Sequence, residues 1–449
     1  MRMTAPRLRF TLFVLLGINT MNFFDRQILP AVQEKIRNQW DLYDSDLGWL
    51  GTAFIVLYAL VGLPLGRLAD VWRRKWILAA GVALWSLLTF GSGLAWNFAS
   101  LFVMRLGVGV GEASCAPAAN SLIGDLVPAE RRARALAVFM LGLPLGLALS
   151  FFVSGTIADH FGWKAAFFVA GLPGLLLAVA ALFIAEPVRG GADLHAPVSA
   201  PAASLPFLAV VRRVLRLPTM WWIIASGALH NFNMYALGTF LASFLKRYHS
   251  ISVERAGQMS GLVYGFGALG IYAAGWLGDR AFRRGVSGRL HVAWIGLAAA
   301  VPCLLLALAA PPGEIWLCAV WLLPACMLLY AYYGTVYATI QDIIEPPLRG
   351  MAMAIYFCAM YFLGAVFGPV ATGWLSDYCA RREAEAAGSP TVTELHKAIG
   401  LHDAMYLIPV LDAALVVVLF AASRTVKADY LRSSRAETLS NPDQAQANP

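Results

Sequence analysis

Four ionisable residues stand out inside stretches of otherwise apolar sequence: Asp25 next to Arg26, and Arg105 seven residues before Glu112. Seven residues make about two helical turns, so Arg105 and Glu112 share one face of a helix. A charge in apolar surroundings is costly unless it is partnered, which makes each of these groups a candidate for function. Two carboxyls and two guanidiniums can also do chemistry together. A cation that moves between two carboxyls lets each take up and release a proton in turn. Asp25 and Glu112 are therefore read as a proton-carrying pair, Arg26 as the switch between them, and Arg105 as a structural or coupling partner. The same groups could instead form a fixed ion pair that locks two helices.

The rest of the chain defines what must hold these residues. It has 449 residues, of which 59% are hydrophobic and 13% charged, about half the ~25% charge of a soluble domain. Mean hydropathy is +0.66. So few charges cannot coat a soluble globule of this length, and disorder, a coiled coil and a disulfide-rich secreted scaffold are excluded with it. A spanning helix needs ~20 mostly apolar residues to cross ~30 Å of hydrocarbon. Twelve runs meet that length: 8–29, 46–68, 76–96, 98–123, 133–157, 164–186, 219–245, 254–278, 290–310, 314–343, 350–376 and 402–423. The alternation of a membrane β-barrel is absent, so the predicted fold class is an all-α membrane protein. Met1–Arg9 leads straight into the first run and reads as part of it, not as a cleaved signal.

Lys and Arg placement predicts the orientation. With the N-terminus cytoplasmic, 23 of the 34 basic residues fall in or next to inner segments and 10 in or next to outer ones, Arg26 near the outer end of its span being counted with the latter. Both termini are then cytoplasmic, and the net charge of +8 is an orientation signal and a partner for lipid headgroups, with no nucleic-acid footprint. A multi-pass protein of the cell membrane, working as a monomer, is expected. By rise per residue, Asp25, Arg26 and Arg105 lie at similar depths in the outer half, with Glu112 ~10 Å nearer the cytoplasm. The predicted organisation is a six-helix half over 1–186, a cytoplasmic linker over 187–218, a second half over 219–424 and a cytoplasmic tail over 425–449. The linker is rich in Pro, Ala and Gly and carries Arg212, Arg213 and Arg216, as a short amphipathic helix on the membrane would. The tail is polar and expected to fray. The longest outer connection is expected at about 377–401.

The two halves repeat each other. Gly66, Asp70, Arg73 and Arg74 at the end of the second run recur as Gly275, Asp279, Arg283 and Arg284 at the end of the eighth; for the Gly and Asp pairs, and for Gly48 and Gly257, the offset is 209 residues. A second register, at 218 residues, pairs Pro128 with Pro346, Arg131 with Arg349, Gly146 with Gly364, Gly155 with Gly373 and Asp159 with Asp377. Such parallel repeats arrange two six-helix halves about an axis along the membrane normal. The repeated acid–arginine motif reads as a cytoplasmic gate that holds that side shut in the outward-open state: the glycines allow close helix approach, the aspartates accept from basic groups or a helix amino end, and the arginines can bridge to the other half.

The G-x-L-x-D-x-x-x-R-R segment and its second copy resemble the signature of the major facilitator superfamily. Arg105-x-x-x-Gly109-x-x-Glu112, Gly162-Trp163-Lys164 and Glu186-Pro187 are similar to further motifs of it, and the resemblance covers essentially the whole chain. Asn22-Phe23-Phe24-Asp25-Arg26 and the segment Arg105–Pro117 most resemble the Spinster-like group, whose pattern N-Y-x-D-R has Tyr where this chain has Phe23. The resemblance implies twelve transmembrane helices in two six-helix halves, alternating access, and export of lysolipid- or sphingolipid-like solutes. Proton symporters for sugar acids carry a similar Asp-Arg and Arg-to-Glu arrangement, and multidrug efflux is a further alternative. A solute site is expected near the midplane, with Asn22 from the first half and His230, Asn233, Tyr235, Tyr333, Tyr337 and Tyr361 from the second. His230 is expected to be a satisfied buried histidine.

No P-loop, dinucleotide fingerprint or nucleophile elbow is present, so neither an enzyme nor ATP as energy source is expected, and a proton gradient takes that place with no cofactor. Six cysteines are scattered without a C-x-x-C pair and read as small buried hydrophobes, with no metal site.

Overall fold

The computed structural model describes residues 5–127, 135–136, 138–187, 207–345 and 348–440; the side chains at 5, 63, 66–67, 69–71, 207–208, 210, 350 and 433–440 are outside that description. Pro128, Arg131 and Pro346, the linker over 188–206, the tail beyond 440 and the side chain of Asp70, with Gly66, therefore lie outside the described residues. Among those described there are helices and no strand.

The helices are α1 Ala5–Trp40, α2 Asp44–Val71, α3 Arg74–Ser92, α4 Phe98–Glu112, α5 Cys115–Leu126, α6 Gly142–Phe161, α7 Trp163–Leu182, α8 Phe207–Val214, α9 Pro218–Tyr248, α10 Val253–Phe282, α11 Gly288–Leu308, α12 Ile315–Ile343, α13 Arg349–Met360, α14 Phe367–Ala386, α15 Glu394–Met405 and α16 Leu407–Ser440, with a π-turn at Tyr361–Ala365. Among the described residues, ten helical segments are long and apolar enough to cross a membrane. The first and seventh runs are not among them. They form α1 and α9, of 36 and 31 residues, whose polar groups lower their hydropathy. At 1.5 Å per residue α1 is about 54 Å long. It outruns the hydrocarbon and projects Glu34 and Arg37 past the apolar run.

The chain forms two compact units. One comprises Met1–Pro197, Ala236–Gly265 and Pro369–Ala404; the other comprises Val198–Tyr235, Phe266–Gly368 and Met405–Pro449. In the first unit α1 packs on α6 and α7, and α3 on α4 and α7. Its apolar centre includes Leu15, Ile18, Leu78, Trp85, Val108, Leu122 and Phe139. In the second, α11 packs on α12 and α16, and the amphipathic α8 lies on α13.

Several expected runs are irregular, for local reasons. The fourth is not one helix, because it breaks directly after Glu112. Pro117 has no N–H to give the carbonyl of Ala113, and the Ser114 hydroxyl turns back to the Gly111 carbonyl at 2.8 Å. The eleventh contains the π-turn, closed by the Val366 N–H on the Tyr361 carbonyl at 3.0 Å. The expected 377–401 connection is mostly helical: α14 continues to Ala386, ends on Gly388 in the left-handed conformation (φ +64), and α15 follows. The tail also differs from expectation. α16 runs on to Ser440, and buried Asp429 accepts the Thr219 N–H at the start of α9 at 2.9 Å, a helix cap that holds this segment in place.

Glycines in α4 allow close helix contacts. A Cβ on Gly109 would strike the Phe54 carbonyl of α2, and one on Gly111 would lie 2.8 Å from the Gly81 carbonyl of α3. Gly109→Val is expected to lower stability by about 1–3 kcal/mol through overpacking. Thermal unfolding in detergent checks this, and an unchanged midpoint would contradict the packing described.

Candidate functional site

Three of the four intramembrane groups are buried, Asp25, Arg105 and Glu112 at 1% exposure each, and Arg26 lies beside them. The Arg26 Nε donates to Glu112 Oε2 at 2.7 Å. The depth gap expected between these two residues is bridged by the length of the arginine side chain. The Arg26 guanidinium also lies over the rings of Phe23, Phe54 and Tyr58 at 4.7–5.0 Å, a cation–π setting. A phenyl ring at position 23 supplies that face as a phenol would. Asp25 is held differently. Its Oδ2 accepts from the Thr89 hydroxyl at 3.2 Å, and Arg105 donates to its backbone carbonyl at 3.3 Å, not to its carboxyl. Asp25 Oδ1 and Glu112 Oε1 are buried with no hydrogen-bond partner. One carboxyl thus holds a guanidinium while the other does not.

The second unit gathers the aromatic candidates. His230 stacks on Tyr332 at 4.0 Å between ring centroids and meets Tyr333 edge-on at 4.9 Å. Tyr333 meets Tyr337, and Tyr337 meets Tyr356, both at 5.6 Å. Tyr235 contacts Tyr361 at 6.2 Å, where the π-turn begins. Tyr332 and Tyr356 share a hydrogen bond of 3.0 Å, and Tyr332 another of 2.9 Å with Ser226. Two expectations are corrected. His230 is buried but not satisfied, because neither ring nitrogen has a hydrogen-bond partner. Asn233 is wholly buried and donates to the Ile408 carbonyl at 3.1 Å, a bond between helices. Asn22, in the first unit, is buried beside Glu112.

In the repeated gate motif, Arg74 is engaged within its own repeat. It is buried and binds Glu186 at 3.0 Å, Asp125, the Ser121 hydroxyl and the Pro187 carbonyl, all in its own repeat. Glu186 also accepts the backbone N–H of Lys75 at 2.9 Å, capping α3. In the second repeat Asp279 is exposed and pairs with Arg289 at 2.8 Å, and Arg289 also pairs with Asp342. The counterpart of Arg74 is therefore Arg289, while Arg73, Arg283 and Arg284 are exposed. A Cβ on Gly275 would meet nothing within 4 Å; its backbone is approached by Gly334, whose Cβ would lie 3.3 Å from the Gly275 nitrogen.

At the opposite, predicted outer end, the first unit holds a buried ionic network that the sequence reading missed. Arg247, near the end of α9, donates to both oxygens of Glu34 at 2.6–3.0 Å and to both of Asp44 at 2.7–2.8 Å. Arg37 pairs with Glu394 at 2.5 Å, and Lys35 with Asp159 at 2.9 Å. Two carboxylates cap neighbouring helices. Asp377 of α14 accepts the backbone N–H groups of Asp44 and Ser45 at 2.9 Å each, at the start of α2. Asp159 of α6 accepts that of Glu254 at 2.8 Å, at the start of α10. These acids are the pair matched at the 218-residue offset, so the same cap is built twice. The offset was the available signal. Glu34, Arg37, Asp44 and Arg247 gave none, because charges at the ends of spans are ordinary. Glu34 lies beyond the first apolar run. Burial pushes its carboxyl up, but the cations Arg247, Arg37 and Lys246 outweigh that and hold it down at about 2.

The family model described as Major Facilitator Superfamily matches residues 15–378. An MFS-type efflux pump of Mycolicibacterium smegmatis is 29% identical over 81% of this chain and 83% of its own length. Protein spinster homolog 1 of Bos taurus is 30% identical over 82% of this chain and 73% of its own. Among solved structures, a bacterial homolog to the human lysosomal transporter Spinster, in an inward-facing and unoccupied conformation, superposes with a TM-score of 0.87 at 26% identity over 95% of this chain and 99% of that one.

Arg247→Ala would strand two buried carboxylates, at about 3–5 kcal/mol. It is expected to open the outer end of the first unit, read as a longer distance between spin labels at Tyr43 and Glu385. Unaltered distances would contradict the clamp. The contribution of Glu34 is complete above its ordinary carboxyl range and is lost only as pH falls towards its folded value. Between about pH 5 and 8 Glu34 should therefore stay ionised and keep its pair with Arg247.

Proposed function

The chain belongs to the major facilitator superfamily, and from that premise we propose that it is a proton-coupled transporter of an amphiphilic, lipid-like solute of the lysophospholipid or sphingolipid type. It is a multi-pass membrane transporter of the Spinster-like group, a kind that works by alternating access. The coupling to protons, the solute class and a twelve-span topology with both termini cytoplasmic are the proposal.

The observation that carries the coupling is the unequal partnering of the two carboxyls on α1 and α4. Glu112 holds Arg26 at 2.7 Å, while Asp25 has a threonine hydroxyl and an unpartnered oxygen. A proton taken up by Glu112 frees Arg26 to turn to Asp25, which gives up its own proton; the reverse exchange resets the pair. The break in the helix directly after Glu112 gives that residue room to respond to its partner without bending the whole span.

The solute class is supported by two features. Aromatic rings from α9, α12 and α13 form a continuous cluster in the second unit, an apolar wall with a few hydroxyls, as an amphiphile would need. Arg26 and Arg105 are engaged with protein groups, which favours this reading over a sugar-acid symporter that would need a guanidinium for its anion. Multidrug efflux is the second reading, favoured by the name of the mycobacterial relative.

In proteoliposomes, Asp25→Asn and Glu112→Gln are each expected to abolish the pH-gradient-driven component of lysolipid transport while leaving the protein folded. Full gradient dependence in both variants would refute the coupling. A fluorescent lysolipid that neither binds nor moves, with a sugar acid or cationic drug that does, would refute the solute class.

A further inference from the structure

A further buried carboxyl within an apolar run belongs to the second unit. Asp412, five residues into α16, is wholly buried within the apolar stretch Leu407–Phe420. Neither of its carboxyl oxygens has a hydrogen-bond partner. From α9, Asn233 donates its side-chain N–H to the carbonyl of Ile408 at 3.1 Å. Ile408 precedes Asp412 by one turn on the same face of α16. The side-chain oxygen of Asn233 is also buried and without a partner. Acceptor oxygens from two helices thus collect along one turn, with no donor for them.

Among the described residues, no cation of the surrounding helices is bonded to Asp412. On α9, His230 is engaged with the rings of Tyr332 and Tyr333. On α11, Arg289 is paired with Asp279 and Asp342, and His291 faces Trp294. On α12, the hydroxyl of Tyr332 is bonded to Ser226 and Tyr356. None of these is bonded to Asp412. A buried acceptor left without a donor costs about 1–3 kcal/mol, and an unpaired carboxylate costs far more. One proton answers both problems, since it removes the charge and turns a carboxyl oxygen into a donor.

The geometry points to Asp412 as a second proton-binding site, in the second repeat, with the Asn233 side-chain oxygen as acceptor for the bound proton. The site is separate from Asp25 and Glu112, and it does not rest on the solute assigned above. Its bound species is a proton held as a neutral acid, exchanging with pH.

Infrared difference spectroscopy with pH, on the full-length protein in lipid nanodiscs, reads protonated carboxyls directly. The wild type is expected to show a protonated-carboxyl band that survives Asp25→Asn and Glu112→Gln and is lost in Asp412→Asn. Asn233→Leu keeps the carboxyl but removes its acceptor, and is expected to shift both the frequency and the pH midpoint of that band. Isotopic labelling of the aspartate carboxyl carbons moves the band in the unaltered chain, so a variant that fails to fold does not decide the outcome. An Asp412→Asn spectrum identical to wild type overturns the proposal, as does a labelled wild type with no aspartate band beyond the one lost in Asp25→Asn. Loss of the band on adding sodium at constant pH assigns the site to a metal cation and overturns the proton reading too. Transport enters none of these readouts, so their failure leaves the transport assignment standing.

Discussion

An apolar solvent offers nothing to a charge or to the end of a helix, so each must find its partner within the protein. That constraint accounts for most of the polar contacts in this chain. Glu186 caps α3, Asp377 caps α2, Asp159 caps α10 and Asp429 caps α9. In each case a carboxylate from a distant part of the chain meets the free N–H groups and the positive dipole end of a helix. These contacts join helices without large apolar interfaces, which matter less when lipid is as apolar as leucine. Glycine contributes by letting backbones meet, as where Gly109 abuts α2 and Gly111 abuts α3.

The helical class and the span pattern were legible because an uncharged hydrophobic run of about 20 residues matches the thickness of a bilayer and little else. The four groups on α1 and α4 were legible for the same reason: a charge stands out against an apolar run. What the one-dimensional pattern could not convey was partner choice. Arg74 lies in a motif that suggested a bridge between halves, yet it reaches Asp125 and Glu186, residues 51 and 112 positions away in its own repeat. Arg289 plays the corresponding part in the second repeat, but it sits beyond a turn from the motif and no spacing rule marks it. Glu34, Arg37, Asp44 and Arg247 lie at span ends, where charge is expected on grounds of solubility. Only the folded chain turns them into a network. Asp412 lies inside a predicted span and still stood unmarked, because it has no counterpart in the repeat and no charged neighbour.

The irregular points of the fold fall close to the candidate residues. The interruption after Glu112 follows from a proline that cannot donate and a serine that turns back on the helix. The π-turn begins at Tyr361, next to the contact with Tyr235. π-turns inside helices often occur at functional positions. A regular helix holds all its side chains in one register; these two breaks let the residues on either side face different neighbours. In both places the chain accepts a weaker backbone ladder where chemically active groups must be aimed.

The clamp at the predicted outer end has a kinetic implication. Glu34 is held so far below the ordinary carboxylate range that acid in the physiological span does not loosen it. The Glu34–Arg247 pair is thus chemically insulated from the groups read as proton carriers. On the coupling proposed above, a change in external pH acts as a change in the concentration of a co-substrate, altering how often the carrier is loaded.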